Sequence, residues 1–293
     1  MTAHRSRLVA VVAALGVAVA LAPQVGAVAS SPPGAPRAPR APGVAGALAE
    51  PPLVAPATPV YANRTVERFD DEGWWRRWGI ASAPLNTSLP RAGRGGRALE
   101  ITFGKGTHDG TTFFRDTGVS DAVHVQYRMQ LSPSWDPSAS ATNVKLPGFG
   151  QPRRTRRGAC LSACGGMPAD GITSYSARSD VHESGAPGWY VYRPGASLRF
   201  PSYGAGRRWT APAFVPGRWY TIDLFLAMNT PGLADGTLRA EIDGVQVAEQ
   251  HDIVFRLTDT LHVGAAWFDF HYGGAGRVPH DMWVRLDDVV VEW

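Results

Sequence analysis

Lysine is nearly absent from this chain. Of 29 cationic side chains only two are lysine, Lys105 and Lys145, and the rest are arginine. Arginine keeps its proton in a protein, whereas a lysine can be tuned to act as a base. Cysteine is as scarce. Cys160 and Cys164 are the whole complement, which excludes a disulfide-built scaffold. No His or Cys lies near them at ligand spacing, so metal binding through this pair is not expected. Conventional catalytic signatures are missing as well: G-x-S-x-G, a phosphate-binding loop, H-E-x-x-H and a dinucleotide fingerprint. The dense acidic groups are Glu67/Asp70/Asp71/Glu72, at a strand end with turn residues, and Asp287/Asp288, in the C-terminal strand. Neither frames a bond as the paired carboxylates of a glycosidase would.

The N-terminus reads as an export signal. His4, Arg5 and Arg7 precede an apolar run from Leu8 to Leu21, and Ala27-Val28-Ala29 offers small residues for cleavage. Residues 1–29 are therefore expected to be a signal peptide. Residues 30–60, rich in Pro and Ala, read as a disordered linker. The expected folded part is 61–293, with no further run long and apolar enough to cross a membrane. Removing residues 1–60 leaves 25 basic and 24 acidic residues, so bulk charge argues for no partner. Local charge does: Arg153-Arg154-Thr155-Arg156-Arg157 is a cationic run able to attract a polyanion. A solvated loop would read the same way, and export turns the choice toward acidic polysaccharide rather than nucleic acid.

Period-two alternation runs through most of 61–293. Val66–Phe69, Ala98–Phe103, Val123–Met129, Tyr220–Leu226, Thr237–Ile242 and Trp283–Trp293 all read as strands, separated by Gly and Pro clusters. Asp243-Gly244 between two alternating runs is a hairpin signal. Little looks helical. The pattern predicts an all-β single domain, an antiparallel β-sandwich of jelly-roll (concanavalin-like) type.

Chemistry-bearing residues gather between Asn143 and Arg193. Lys145 lies in Lys145-Leu146-Pro147-Gly148. Ile172 to Arg178, read as a strand, puts Ser174, Ser176 and Arg178 on one face, and Trp189 to Tyr192 puts Tyr190 and Tyr192 on one face. Between them Cys160 and Cys164 lie in a Gly-rich loop, where an exported chain would form a short-range disulfide. Singly, each residue has an ordinary explanation as a surface cation or strand filler. Together they make a face suited to an acidic sugar.

In their order, Lys145-Leu146-Pro147-Gly148, Cys164-Gly165-Gly166, Ser176-x-Arg178, Tyr190-x-Tyr192 and Phe268-Asp269-Phe270-His271-Tyr272-Gly273-Gly274 resemble family 14 polysaccharide lyases. The resemblance is strongest over 143–193 and 217–293; the basic run at 153–157 departs from it. It implies a jelly roll that cleaves polyuronates such as alginate or glucuronan by β-elimination, without a cofactor. Such a reaction removes the proton α to the sugar carboxylate and expels the O4 glycoside. It implies Arg178 as the group that neutralises the carboxylate, with Ser176 orienting it. Lys145 and the tyrosines Tyr190 and Tyr192 share the roles of base, acid and sugar contact, with base and acid exchangeable between Lys145 and a tyrosine. Ser174, Arg153 and Arg154 are expected to bind substrate. His108, His182 and His271 carry no assigned role. The expected partner is an acidic polysaccharide, the substrate of a secreted monomer with no nucleic-acid or membrane partner. The rival expectation is a module that binds acidic glycan without cleaving it.

Overall fold

The computed structural model describes residues 61–155, 159–196 and 209–293. The expected signal peptide and linker, together with Arg156 and Arg157, lie outside the described residues. Among the described residues, fifteen strands and one helical turn follow in order. They are β1 (Arg64–Glu67), α1 (Trp74–Arg77), β2 (Thr87–Ser88), β3 (Leu99–Phe103), β4 (Asp109–Gly118), β5 (Ala122–Leu131) and β6 (Val144–Gly150). Next come β7 (Arg153–Arg154), β8 (Cys160–Ser162), β9 (Ser176–Val181), β10 (Pro187–Tyr192), β11 (Trp219–Ala227) and β12 (Gly236–Ile242). The last three are β13 (Val245–Ile253), β14 (Gly264–Tyr272) and β15 (Met282–Glu292).

Two antiparallel sheets form the sandwich. One runs β13-β12-β11-β5-β15-β3-β2, with β1 paired to β15 beyond the stretch that β3 occupies. The other has five strands in the order β10-β9-β6-β14-β4, and β7 and β8 form a separate hairpin.

The alternation of β5 shows how sequence fixes the layers. Val123, Val125, Tyr127, Met129 and Leu131 are buried, while His124, Gln126, Arg128 and Gln130 point outward. From the facing sheet Phe268 and Phe270 enter the same core, with Phe268 stacked on Phe113 at 5.1 Å and Tyr127 reaching the Phe268 ring. The neighbours of those phenylalanines on β14 (Trp267, Asp269 and His271) must then face away from the core. The Asp243-Gly244 hairpin joins β12 to β13 with both residues at positive φ, 53° and 78°, as a two-residue turn of primed type requires.

Two local departures from simple alternation have physical causes. Strand β15 loses phase at Asp287–Asp288, where Asp288 takes a φ of 47° and the register slips. That bulge lets Val284, Leu286, Val289 and Val291 all reach the core. The expected strand from Ile172 begins only at Ser176. Asp170 holds the chain in a turn before it, its carboxylate accepting the backbone N–H of Ile172, Thr173 and Ser174 and the Thr173 hydroxyl.

Gly148 on β6 is pressed against β9: a Cβ there would lie 2.2 Å from the Ala177 carbonyl oxygen and 2.5 Å from the Arg178 Cα. Gly148→Ala is expected to lower stability by about 1–3 kcal/mol, as overpacking does, read as a shift in the urea midpoint with unchanged slope.

Candidate active site

The register of the five-stranded sheet assembles the site on its outward face. Trp267 pairs with Gly148, Gly148 with Arg178, and Arg178 with Tyr190, forming one row across β14, β6, β9 and β10. The next row runs from His271 through Lys145 to Asp180. Residues directly opposite share a face, so these rows place a lysine, an arginine, a carboxylate and a tyrosine beside one another.

Tyr190 is the hub. The Lys145 amine lies 3.7 Å from the centre of its ring, and the Arg178 guanidinium carbon lies 5.3 Å from it. The hydroxyls of Tyr190 and Tyr192 are 3.4 Å apart. Lys145 is buried, and its amine donates to the Asn143 carbonyl at 3.1 Å. Loss of hydration pushes the Lys145 amine down to about 7; the nearby Arg178 charge adds to this and the Asp180 carboxylate opposes it. Burial also raises the Asp180 carboxyl, against the pull of Lys145 and His182. Both shifts have loss of hydration as their first cause. Burial, reinforced by Tyr192, raises the Tyr190 hydroxyl far above the ordinary phenol range.

Two carboxylates in this site carried no assignment in the sequence. Asp180 Oδ2 accepts from the Asn143 side chain at 2.6 Å, and its Oδ1 faces His182 Nε2 at 3.6 Å. Asp269 is ion-paired to Arg178, whose guanidinium also lies 4.4 Å from the Trp267 ring. Period-two counting could have found both. Asp180 lies two residues beyond Arg178, and Asp269 lies between Trp267 and His271 on one face.

Arg178, Asp269 and His271 open onto a cleft of about 440 Å³, walled by Pro84, Leu85 and the Cys160–Cys164 disulfide. Arg154 lines this cleft too, its guanidinium 5.3 Å from the Trp267 ring. Arg153 is exposed and does not line it.

The serines require a correction. Ser174 and Ser176 were expected to bind substrate, but both are fully buried. The Ser176 hydroxyl donates to the Ala163 carbonyl at 2.8 Å, and Ser174 hydrogen-bonds the Ser162 hydroxyl at 2.6 Å. They anchor the disulfide loop over the sheet. That loop in turn reaches Tyr192, whose hydroxyl accepts the Gly166 N–H at 2.8 Å. No groups of His, Cys, Asp and Glu suited to a metal ion occur among the described residues.

Comparison with known proteins fits this geometry. A sequence model of the polysaccharide lyase 14 family matches residues 95–281. The chain belongs to that family. Compared with curated proteins by sequence, it finds no match. Among solved structures, this lyase-family chain is similar to the marine PL-14 alginate lyase from Aplysia kurodai at 16% identity and a TM-score of 0.61, covering 80% of this chain and 99% of that one. It is similar to the alginate lyase Aly36B at 15% identity and a TM-score of 0.60, over 80% and 98% of the two chains. It is similar also to an endo-β-1,4-glucuronan lyase from the fungus Trichoderma reesei, at 14% identity and a TM-score of 0.53, over 80% and 95%. At these identities the likeness speaks for the sandwich shared by the family, the jelly roll expected from the alternation.

Ser176→Ala should cost about 1–3 kcal/mol of stability by leaving the Ala163 carbonyl unpaired while leaving KM unchanged. A raised KM at undiminished stability would return Ser176 to the sugar-binding face.

Proposed function

We propose that this member of the polysaccharide lyase 14 family is a secreted enzyme that cleaves an alginate- or glucuronan-type polyuronate by β-elimination. The observation that carries the reading is the Lys145–Tyr190 contact. One partner is a lysine whose buried amine gives up its proton near pH 7, and the other is a tyrosine whose hydroxyl keeps its own. That pairing supplies a base and an acid side by side. On this reading Lys145 takes the proton and Tyr190 gives one.

In the proposed reaction the neutral Lys145 amine removes the C5 proton. The electron pair forms the C4–C5 double bond, the C4–O4 bond breaks, and Tyr190 protonates the departing O4. Tyr192 positions Tyr190: its oxygen accepts from Gly166 and lies within hydrogen-bonding distance of the Tyr190 hydroxyl, which fixes the acid beside the base. Arg178, held across the cleft floor by Asp269, meets the sugar carboxylate and stabilises the charge that builds there. Asp180 provides the counter-charge for the ammonium formed on Lys145, directly across the ladder. The relatives named as alginate and glucuronan lyases supply the substrate class.

The Arg178–Asp269 ion pair favours a second reading, in which the arginine is already neutralised and the face binds acidic glycan without cleaving it. Absorbance over time separates the two. The conjugated double bond made by elimination absorbs in the ultraviolet, so the purified chain with polymannuronate, polyguluronate or glucuronan should give a rising trace on at least one. Bound polymer with a flat trace on all three would establish the binding module.

Activity should rise with pH through about 7 as Lys145 loses its proton. Lys145→Arg keeps the charge but cannot act as a base, and is expected to lower kcat by about 10²–10⁴-fold. Asp180→Asn removes a charge that raises the Lys145 pKa. Its acid limb should therefore move to lower pH while kcat falls and KM holds. A limb that stays in place would take Asp180 out of contact with the base.

A further inference from the structure

On the far side of the sandwich four guanidinium groups converge. Arg64 of β1, Arg68 just after it, Arg94 from the loop before β3 and Arg128 of β5 line a cleft of about 270 Å³, with Gln126, Thr221 and Asp288. Arg128 and Gln126 belong to the outward face of β5, opposite the buried Val125, Tyr127 and Met129. The Arg178 cleft lies on the outward face of the other sheet. The two clefts therefore open on opposite surfaces.

The far cleft is short of acceptors. Arg64 donates to Glu292 at 3.0 Å, and that carboxylate is shared with His124. Arg68 stands 3.8 Å from Asp288, and Arg128 stands 3.7 Å from Asp287 and 4.0 Å from Asp288. Asp287 is turned to the chain, accepting the backbone N–H of Arg94 and of Asp288. Nη1 of Arg128 is buried with no hydrogen-bond partner among the described residues. The Arg128 guanidinium is nonetheless held in place, 4.8 Å from the Trp219 ring. A guanidinium held in place with Nη1 unbonded and its nearest carboxylates no closer than 3.7 Å, among three further arginines, suits a planar, bidentate anion, which a carboxylate is.

We infer that this arginine cleft is a second, non-catalytic site for the carboxylates of an acidic polysaccharide. The choice of a polyuronate as ligand rests on the proposed lyase reading, while the call for carboxylates rests on the cleft alone. Gln126 and Thr221 add amide and hydroxyl groups suited to sugar hydroxyls. Paired sheets stand about 10 Å apart, and each cleft lies on the outer side of its sheet. A short oligosaccharide therefore cannot fill both, whereas a polymer can be held in one while another stretch occupies the other. Held chain raises the local concentration of cleavable bonds at the Arg178 cleft.

The test compares a polymer with a trisaccharide. Arg68, with 69% of its side chain exposed, and Arg94 can be replaced at little risk to the fold. Arg68→Ala/Arg94→Ala is expected to raise KM for polymeric alginate about fivefold, with kcat and the trisaccharide KM unchanged and the difference fading at high salt. Arg128→Gln, which spares the exposed pair, should act the same way. Unchanged polymer KM in both variants overturns the inference. Equal loss of affinity for duplex DNA overturns the assignment to uronates. Should the unaltered chain give no absorbance on any polymer, the lyase reading fails by itself. Retardation in an alginate-containing gel, with and without the arginine substitutions, then still decides the cleft.

Discussion

A lysine amine held out of water is the constraint on which the rest of this site depends. Full burial of an ammonium without a partner costs many kcal/mol, and proteins meet that cost by neutralising the group or pairing it. Around Lys145 both routes are built in. The Tyr190 ring covers the amine, the Asn143 carbonyl accepts from it, and Asp180 stands opposite it in the ladder. Asn143 is itself fixed at a φ of 60° and holds Asp180 by its side chain, so the residue that orients the lysine also orients its counter-charge. The position of Lys145 is thus over-determined, as a proton acceptor of controlled strength requires.

The covering loop completes this environment. It is stapled by Cys160–Cys164, tied down by Ser176 and Ser174, and touches the sheet again where Gly166 meets Tyr192. Hydroxyls that look from sequence like sugar contacts are used for holding the roof. Lys145 and Tyr190 are both buried, and the same loss of hydration that depresses Lys145 raises Tyr190. One physical cause thereby drives a base and an acid in opposite directions.

Most of the fold was legible because period-two alternation is a backbone property that needs no partner to be read. Val123 to Met129 and the Asp243-Gly244 turn formed as expected. Asp170, an ordinary turn residue in the sequence, cut the expected strand at Ile172 short by capturing three backbone amides. Sequence likewise pointed to Lys145, Arg178, Tyr190 and Tyr192, which the structure gathers around one ring. It was silent on Asp180 and Asp269 because a carboxylate acquires this role only from what lies across the ladder. Cross-strand register joins Lys145 to Asp180, 35 residues apart, and an ion pair reaching over β6 joins Arg178 to Asp269, 91 residues apart. Ser176 shows the reverse failure, since face alone does not reveal whether a loop has taken the hydroxyl.

Gly148 has a bearing on how a long polymer is read. Lacking a side chain, it leaves a trough between Trp267 and Tyr190, and the Arg178 guanidinium lies there with an aromatic plane near each side, 4.4 Å and 5.3 Å from the ring centres. A flexible cation could follow a misplaced sugar and accept it in several alignments. This one is gripped, with Asp269 as its stop. In the proposed reaction the sliding chain must bring a carboxylate to a fixed post, so the protein sets the phase of the cut.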